Sequence, residues 1–198
     1  MLVGAILCGG ASRRMGEPKA LVEVDGVPMA LRVAAALSAA GASDVVLVGG
    51  DPAWSELFGL KQVPDRWPGE GPLGGLATAL LDVPAACGAG DPTNPADMTV
   101  LVAACDQPWL DGPSLWLLVA ALEANVGVEV AVARTESNRR QPFPAAWRST
   151  PAPALQAAVA AGARRADAAF DLVSVVEVTL PDAVLADVDW PADLRVDP

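Results

Sequence analysis

The residue types best suited to chemistry lie in one stretch, Gly9-Gly10-Ala11-Ser12-Arg13-Arg14-Met15-Gly16-Glu17-Pro18-Lys19. Backbone N–H groups freed by glycine can cradle phosphate oxygens, and the three cations can neutralise charge that develops as a phosphoryl bond breaks. It is not a Walker A loop: five residues separate Gly10 from Gly16 where that motif has four, and no Gly-Lys-Ser/Thr follows. Nor is it Gly-x-Gly-x-x-Gly. Lys19 is one of two lysines beside 11 arginines, which points to a site that wants a compact point charge and not a planar fork. Asp106 stands at the end of an apolar run, ahead of Gln107-Pro108. A lone carboxylate there suits a hard cation that takes its other oxygens from water and phosphate. Asp65 precedes Pro68-Gly69 and reads equally as a turn former. Further positive charge gathers at Arg134, Arg139, Arg140 and Arg148, and again at Arg164-Arg165.

Composition removes most other chemistries. The 198 residues include no histidine, so His triads, His-ligated zinc and imidazole bases are excluded, leaving carboxylates, Lys, Arg or a hard metal ion. A net charge of −11 argues against nucleic acid as a partner, whereas small basic islands on an acidic protein suit small polyanions. Cys8, Cys87 and Cys105 are odd in number and widely spaced, which fits reduced thiols in the cytosol. Apolar residues make up 53% of the chain, yet no run is long enough to span a bilayer, and the start Met1-Leu2-Val3-Gly4 lacks a basic leader. The expectation is a single cytoplasmic domain over residues 1–198, with no membrane partner.

The elements that must position these groups alternate. Val3 to Cys8, Asp44 to Val48, Leu60 to Val63, Met98 to Ala104, Val128 to Ala133, Phe143 to Trp147 and Leu172 to Val178 read as strands. Met29 to Ala40, Leu73 to Leu81, Pro113 to Ala124 and Pro151 to Gly162 read as helices, and Ala85 to Asp97 as a loop. Continuous apolar strands between helices predict an α/β fold in three α/β/α layers, with a mostly parallel, Rossmann-like sheet. Ligands of such sheets collect beyond the strands' carboxyl ends, where Gly9-Gly10, Asp65 and Cys105-Asp106 fall.

Four blocks, in order, carry a family resemblance. Leu7-Cys8-Gly9-Gly10-Ala11-Ser12-Arg13-Arg14-Met15-Gly16 through Lys19 resembles the signature of the molybdenum cofactor guanylyltransferases. Asp65 with Gly71-Pro72-Leu73-Gly74-Gly75, Cys105-Asp106-Gln107-Pro108 and Gly162-Ala163-Arg164-Arg165 are similar to that family's later blocks. The resemblance implies a sheet of the nucleotide-diphospho-sugar transferase type and transfer of GMP from GTP to the terminal phosphate of a molybdopterin-type acceptor, releasing pyrophosphate. It implies nucleotide contacts from Leu7, Cys8, Gly9, Gly10, Lys19, Asp65, Gly71, Pro72, Leu73, Gly74 and Asp106. Catalytic charge would come from Lys19, Arg13, Arg14 and Asp106, with Mg²⁺ on Asp106 and Asp189, and acceptor contacts from Arg164 and Arg165. Molybdenum insertion proteins, apo-molybdoenzymes and a monomeric state belong to the same expectation.

Some positions depart from the family pattern. Its late Asn-x-Asn-Thr-Pro-Glu block corresponds here to Asp187-Val188-Asp189-Trp190-Pro191-Ala192, so both amides are carboxylates. Val48-Gly49-Gly50 offers no side-chain amide where the family often has an Asn, and Cys8 replaces the usual Ala. Two rival expectations follow: a cytidylyltransferase or other nucleotidyltransferase of the same fold, and a catalytically silent GTP-binding module.

Overall fold

The computed structural model describes residues 1–9, 16–88 and 98–195. Nine strands are β1 (Leu2–Leu7), β2 (Glu23–Val24), β3 (Val27–Pro28), β4 (Val45–Val48), β5 (Lys61–Val63), β6 (Thr99–Ala104), β7 (Val130–Arg134), β8 (Arg140–Arg148) and β9 (Val175–Thr179). Five helices are α1 (Met29–Ala39), α2 (Trp54–Phe58), α3 (Pro72–Ala86), α4 (Gly112–Ala124) and α5 (Ala152–Ala160). Seven strands form one sheet in the order β5-β4-β1-β6-β8-β7-β9, in which only β8 runs against its neighbours.

Strand pleating explains the three layers. Val3, Ala5 and Leu7 of β1, with Val100 and Val102 of β6, face a core shared with α3 and α5. Ile6, with Leu101 and Ala103, faces the opposite core, shared with α1 and α4. Side chains alternate with period two, so strands covered on both faces must be apolar at every position, which is why they read as unbroken runs.

The expected architecture is present, with local differences. Leu73 to Leu81 continues to Ala86 through Pro84, because Val83 still points into the core and extends the apolar face. The loop expected from Ala85 therefore starts later, and most of it lies outside the described residues. The last strand begins at Val175 because Ala166–Asp171 forms a 3-10 turn with Leu172 in helical conformation. Phe143 to Trp147 is the middle of a longer strand, β8. The small β2–β3 hairpin and α2 are additions, and both carried signals. Asp25 and Gly26 take φ of 53° and 75°, a two-residue hairpin turn that Asp-Gly favours. Gly59 closes α2 in the left-handed region at φ 64°. No helix among the described residues is long and apolar enough to cross a membrane.

The α4 start sits tightly on α1. Asp111 caps α4 by accepting from Ser114 N at 2.7 Å, and a Cβ on Gly112 would come 2.7 Å from Ala39 Cβ. Gly112→Ala is therefore expected to destabilise the fold by about 1–3 kcal/mol through overpacking. Urea unfolding checks this, and an unchanged midpoint would mean that the two helices separate freely.

Candidate active site

The chain leaves β1 towards β4 and leaves the adjacent β6 towards β7, on opposite sides, and a crevice opens beyond the carboxyl ends of these two strands, as in α/β sheets where the strand order reverses. A cavity of about 650 Å³ lies there, a size usual for small-molecule sites. Gly9 follows β1, Asp65 follows β5 and Asp106 follows β6, and all three line the cavity.

Lys19 enters through Pro18, whose extended backbone leads into a 3-10 turn anchored by the buried Ala20. Its Nζ donates to Asp106 Oδ2 at 2.8 Å and to Asp189 Oδ1 at 2.5 Å. Asp189 is delivered by the neighbouring Val188, which is fully buried against Val22, Val24 and Met29 and donates its N–H to Asp106 O at 2.8 Å. Asp193 Oδ2 then accepts from Asp189 N at 2.9 Å and Trp190 N at 2.7 Å, closing the turn. Burial alone lowers the Lys19 pKa, but hydrogen bonds to Asp106 and Asp189 with their negative charge outweigh it and raise it above 10.5. The raised value means that these ion pairs stabilise the fold fully below pH 10.5 and are lost as pH climbs through the folded-state value.

Asp65 has its two oxygens in different surroundings. Oδ1 accepts from Trp67 N at 2.9 Å and Thr78 Oγ1 at 3.1 Å, which fixes the carboxylate. Oδ2 faces Gly9, where an added Cβ would lie 3.5 Å away. Cys8 and Cys105 are buried at the tips of adjacent strands, and the Cys105 thiol is pushed well above its ordinary range by hydrogen bonding with Cys8 and by burial. Both side chains are buried and serve as packing groups.

Other expected residues are distributed unevenly. Leu7, Cys8, Gly71 and Pro72 line the cavity. Leu73 is instead a core residue whose N–H donates to Arg164 O at 3.1 Å, and Gly74 N donates to Gly71 O at 3.1 Å. Gly71 has φ 89°, and a Cβ there would stand 2.7 Å from Arg164 O, so glycine is required for that close approach. The Arg164 guanidinium bonds Val159 O and Ala163 O and pairs with Glu70; Arg165 pairs with Asp167. Neither arginine lines the cavity. Gly10, Arg13 and Arg14 lie outside the described residues. The cavity also takes in Trp54, Gln107, Gln141 and Phe143, which the sequence reading did not single out. Gln107 lay inside the Cys-Asp-x-Pro block as its variable position; the others carried no chemical signal.

The model of the MobA-like NTP transferase domain matches residues 4–175. The chain belongs to this family. Family membership makes it a nucleotidyltransferase. A molybdenum cofactor guanylyltransferase of Rhodobacter capsulatus is 36% identical over 195 residues, covering 98% of this chain and 93% of the relative. A probable molybdenum cofactor guanylyltransferase of Pelotomaculum thermopropionicum is 41% identical over 131 residues, 66% of this chain and 56% of the relative. Among solved structures, the molybdopterin-guanine dinucleotide biosynthesis protein A of Archaeoglobus fulgidus superposes with a TM-score of 0.74 at 22% identity, covering 98% of this chain and 95% of that one. A Mycobacterium tuberculosis protein in complex with manganese gives 0.65 at 19% identity, covering 98% and 96%. These two likenesses speak to the fold, here the nucleotidyltransferase sheet.

The Lys19 bridge generates a stability test. Lys19→Met keeps the bulk but leaves Asp106 and Asp189 as neighbouring like charges. A loss of about 1 kcal/mol is expected at pH 8, or roughly 2–4 °C in Tm. Thermal melts at pH 8 check this, and identical melting of variant and parent would count against the bridge.

Proposed function

We propose that this nucleotidyltransferase transfers GMP from GTP to the terminal phosphate of a molybdopterin-type acceptor and releases pyrophosphate. The observation that carries the reading is the meeting of Lys19, Asp106 and Asp189 at the strand ends, in a chain 36% identical to a molybdenum cofactor guanylyltransferase over nearly its whole length. In this reading the Gly9 segment and Lys19 hold the triphosphate, and Gly10, Arg13 and Arg14 contribute from the rest of the loop. The acceptor phosphate attacks the α-phosphorus directly, so no covalent enzyme intermediate is required. Positioning and charge neutralisation then supply the catalysis.

Asp65 supports the choice of guanine. Oδ1 is held by the fold while Oδ2 faces the cavity beside Gly9, ready to accept from guanine N1–H or its 2-amino group. Arg164 and Arg165 are proposed for the acceptor, a role in which their guanidinium groups leave Glu70 and Asp167.

The donor set fits Mg²⁺. Two carboxylate oxygens converge on one ammonium, both are hard donors, and Mg²⁺ is usually held by one or two carboxylates plus phosphate and water. Among the described residues no cluster of three Cys, Asp or Glu could hold a metal ion alone. Bound there, Mg²⁺ would neutralise charge on the departing pyrophosphate. The free Cys8, Cys87 and Cys105 support a cytoplasmic setting for this reading.

Pyrophosphate release measured with GTP, CTP, ATP and UTP, each with Mg²⁺ and with or without molybdopterin loaded with molybdenum, tests the proposal. GTP with acceptor is expected to exceed each other nucleotide by at least about tenfold, given the discrimination that buried polar groups provide. Preference for CTP would reassign the branch, and GTP binding without release would make the chain a silent module.

A further inference from the structure

We infer that Gln107 is a positioning residue for this reaction, holding the strand end that carries Asp106 at a fixed distance from the opposite lip of the cavity. The inference rests on the transfer activity proposed above. It comes from where the sheet opens. β6 and β8 pair in antiparallel register from Thr99↔Arg148 to Val102↔Ala145, and beyond that point the two strands part. Ala104, Cys105 and Asp106 then line one side of the cavity, and Gln141, Pro142 and Phe143 line the other.

The Gln107 side-chain amide stands in the gap as a substitute peptide group. Its Oε1 accepts from Ala104 N at 3.2 Å, and its Nε2 donates to Phe143 O at 3.0 Å. One amide thus meets both strands with the donor and acceptor that a ladder would have used. It is only 5% exposed, so neither end has water as a ready replacement partner. From the other flank, Val188 N donates to Asp106 O at 2.8 Å. Asp106 is therefore held between two fixed supports, and Gln107 is the one that links it to the β8 lip.

This geometry makes Gln107 a determinant of turnover and not of nucleotide affinity. Gly9 follows β1 and Asp65 follows β5, both across β6 from the β8 lip that Gln107 holds, whereas a small shift of Asp106 disturbs the reacting end of the site. Gln107→Leu keeps most of the volume and removes both hydrogen bonds. Gln107→Glu keeps the acceptor for Ala104 N but sets a carboxylate oxygen against Phe143 O.

The test compares both variants with the unaltered full chain, scaled to the folded fraction measured by circular dichroism. The expected result is a kcat lowered by about tenfold or more, since misplacement near 1 Å at a reacting centre costs up to about 100-fold. The KM for GTP should stay within about threefold, and the half-saturating Mg²⁺ concentration should rise. Mn²⁺ affinity in the presence of a non-hydrolysable GTP analogue, read by electron paramagnetic resonance, is expected to fall in parallel. Unchanged kcat and unchanged Mn²⁺ affinity per folded molecule, with only a lower Tm, would overturn the inference. An unaltered chain that releases no pyrophosphate would sink the functional reading, while the Mn²⁺ affinities would still decide whether Gln107 positions Asp106.

Discussion

One ammonium group joins the parts of this chain that are furthest apart. Lys19 bonds Asp106, 87 residues away, and Asp189, 170 residues away, so the loop exit, the central strand end and the late C-terminal segment meet at one charge. Two carboxylates do not approach each other without a cation between them, because like charges in a partly dehydrated crevice repel. The lysine therefore sets the arrangement that the rest of the molecule supports. The buried Val188 presses the late segment onto the β2–β3 hairpin, and its N–H fixes Asp106 O.

The sheet makes that meeting possible by opening where it does. Six strands run one way, and their carboxyl ends collect the loops that carry Gly9, Asp65 and Asp106. β8 runs the other way, so its beginning lies at the same edge and brings Gln141 and Phe143 to the cavity. The paired amide of Gln107 keeps the parted strands in register. A rigid scaffold with the reactive groups at loop ends suits catalysis by positioning, since little covalent chemistry is asked of the protein itself.

Much of this was legible in the residues. Apolar runs at β1, β4 and β6 predict buried parallel strands because both faces must be covered, and the structure buries both. Asp106 and Asp65 were locatable because carboxylates ending apolar runs stand out. What the chain did not announce depended on distance in space. Nothing local to Asp189 says that Val188 will be buried beneath the hairpin and deliver it to Lys19. Gln107 looks like a surface amide until β6 and β8 are seen to part. Leu73 sat inside a glycine-rich block that looked like a nucleotide turn, yet its N–H serves Arg164 O. The Asp25-Gly26 turn was legible and went unread, since the strands beside it are two residues each and show no periodicity.

The central claim is that the Asp106 carboxylate just past β6 serves the transition state more than it serves nucleotide binding. Asp106→Asn tests it most directly, because the amide keeps the size and loses the anionic oxygen beside Lys19. Steady-state turnover and GTP affinity are measured on the same preparation at saturating Mg²⁺. The account predicts a turnover loss of at least roughly 100-fold, which at about 1.4 kcal/mol per decade is close to 3 kcal/mol, with GTP affinity changed by less than about threefold. An Asp106→Asn chain with near-normal turnover would contradict it.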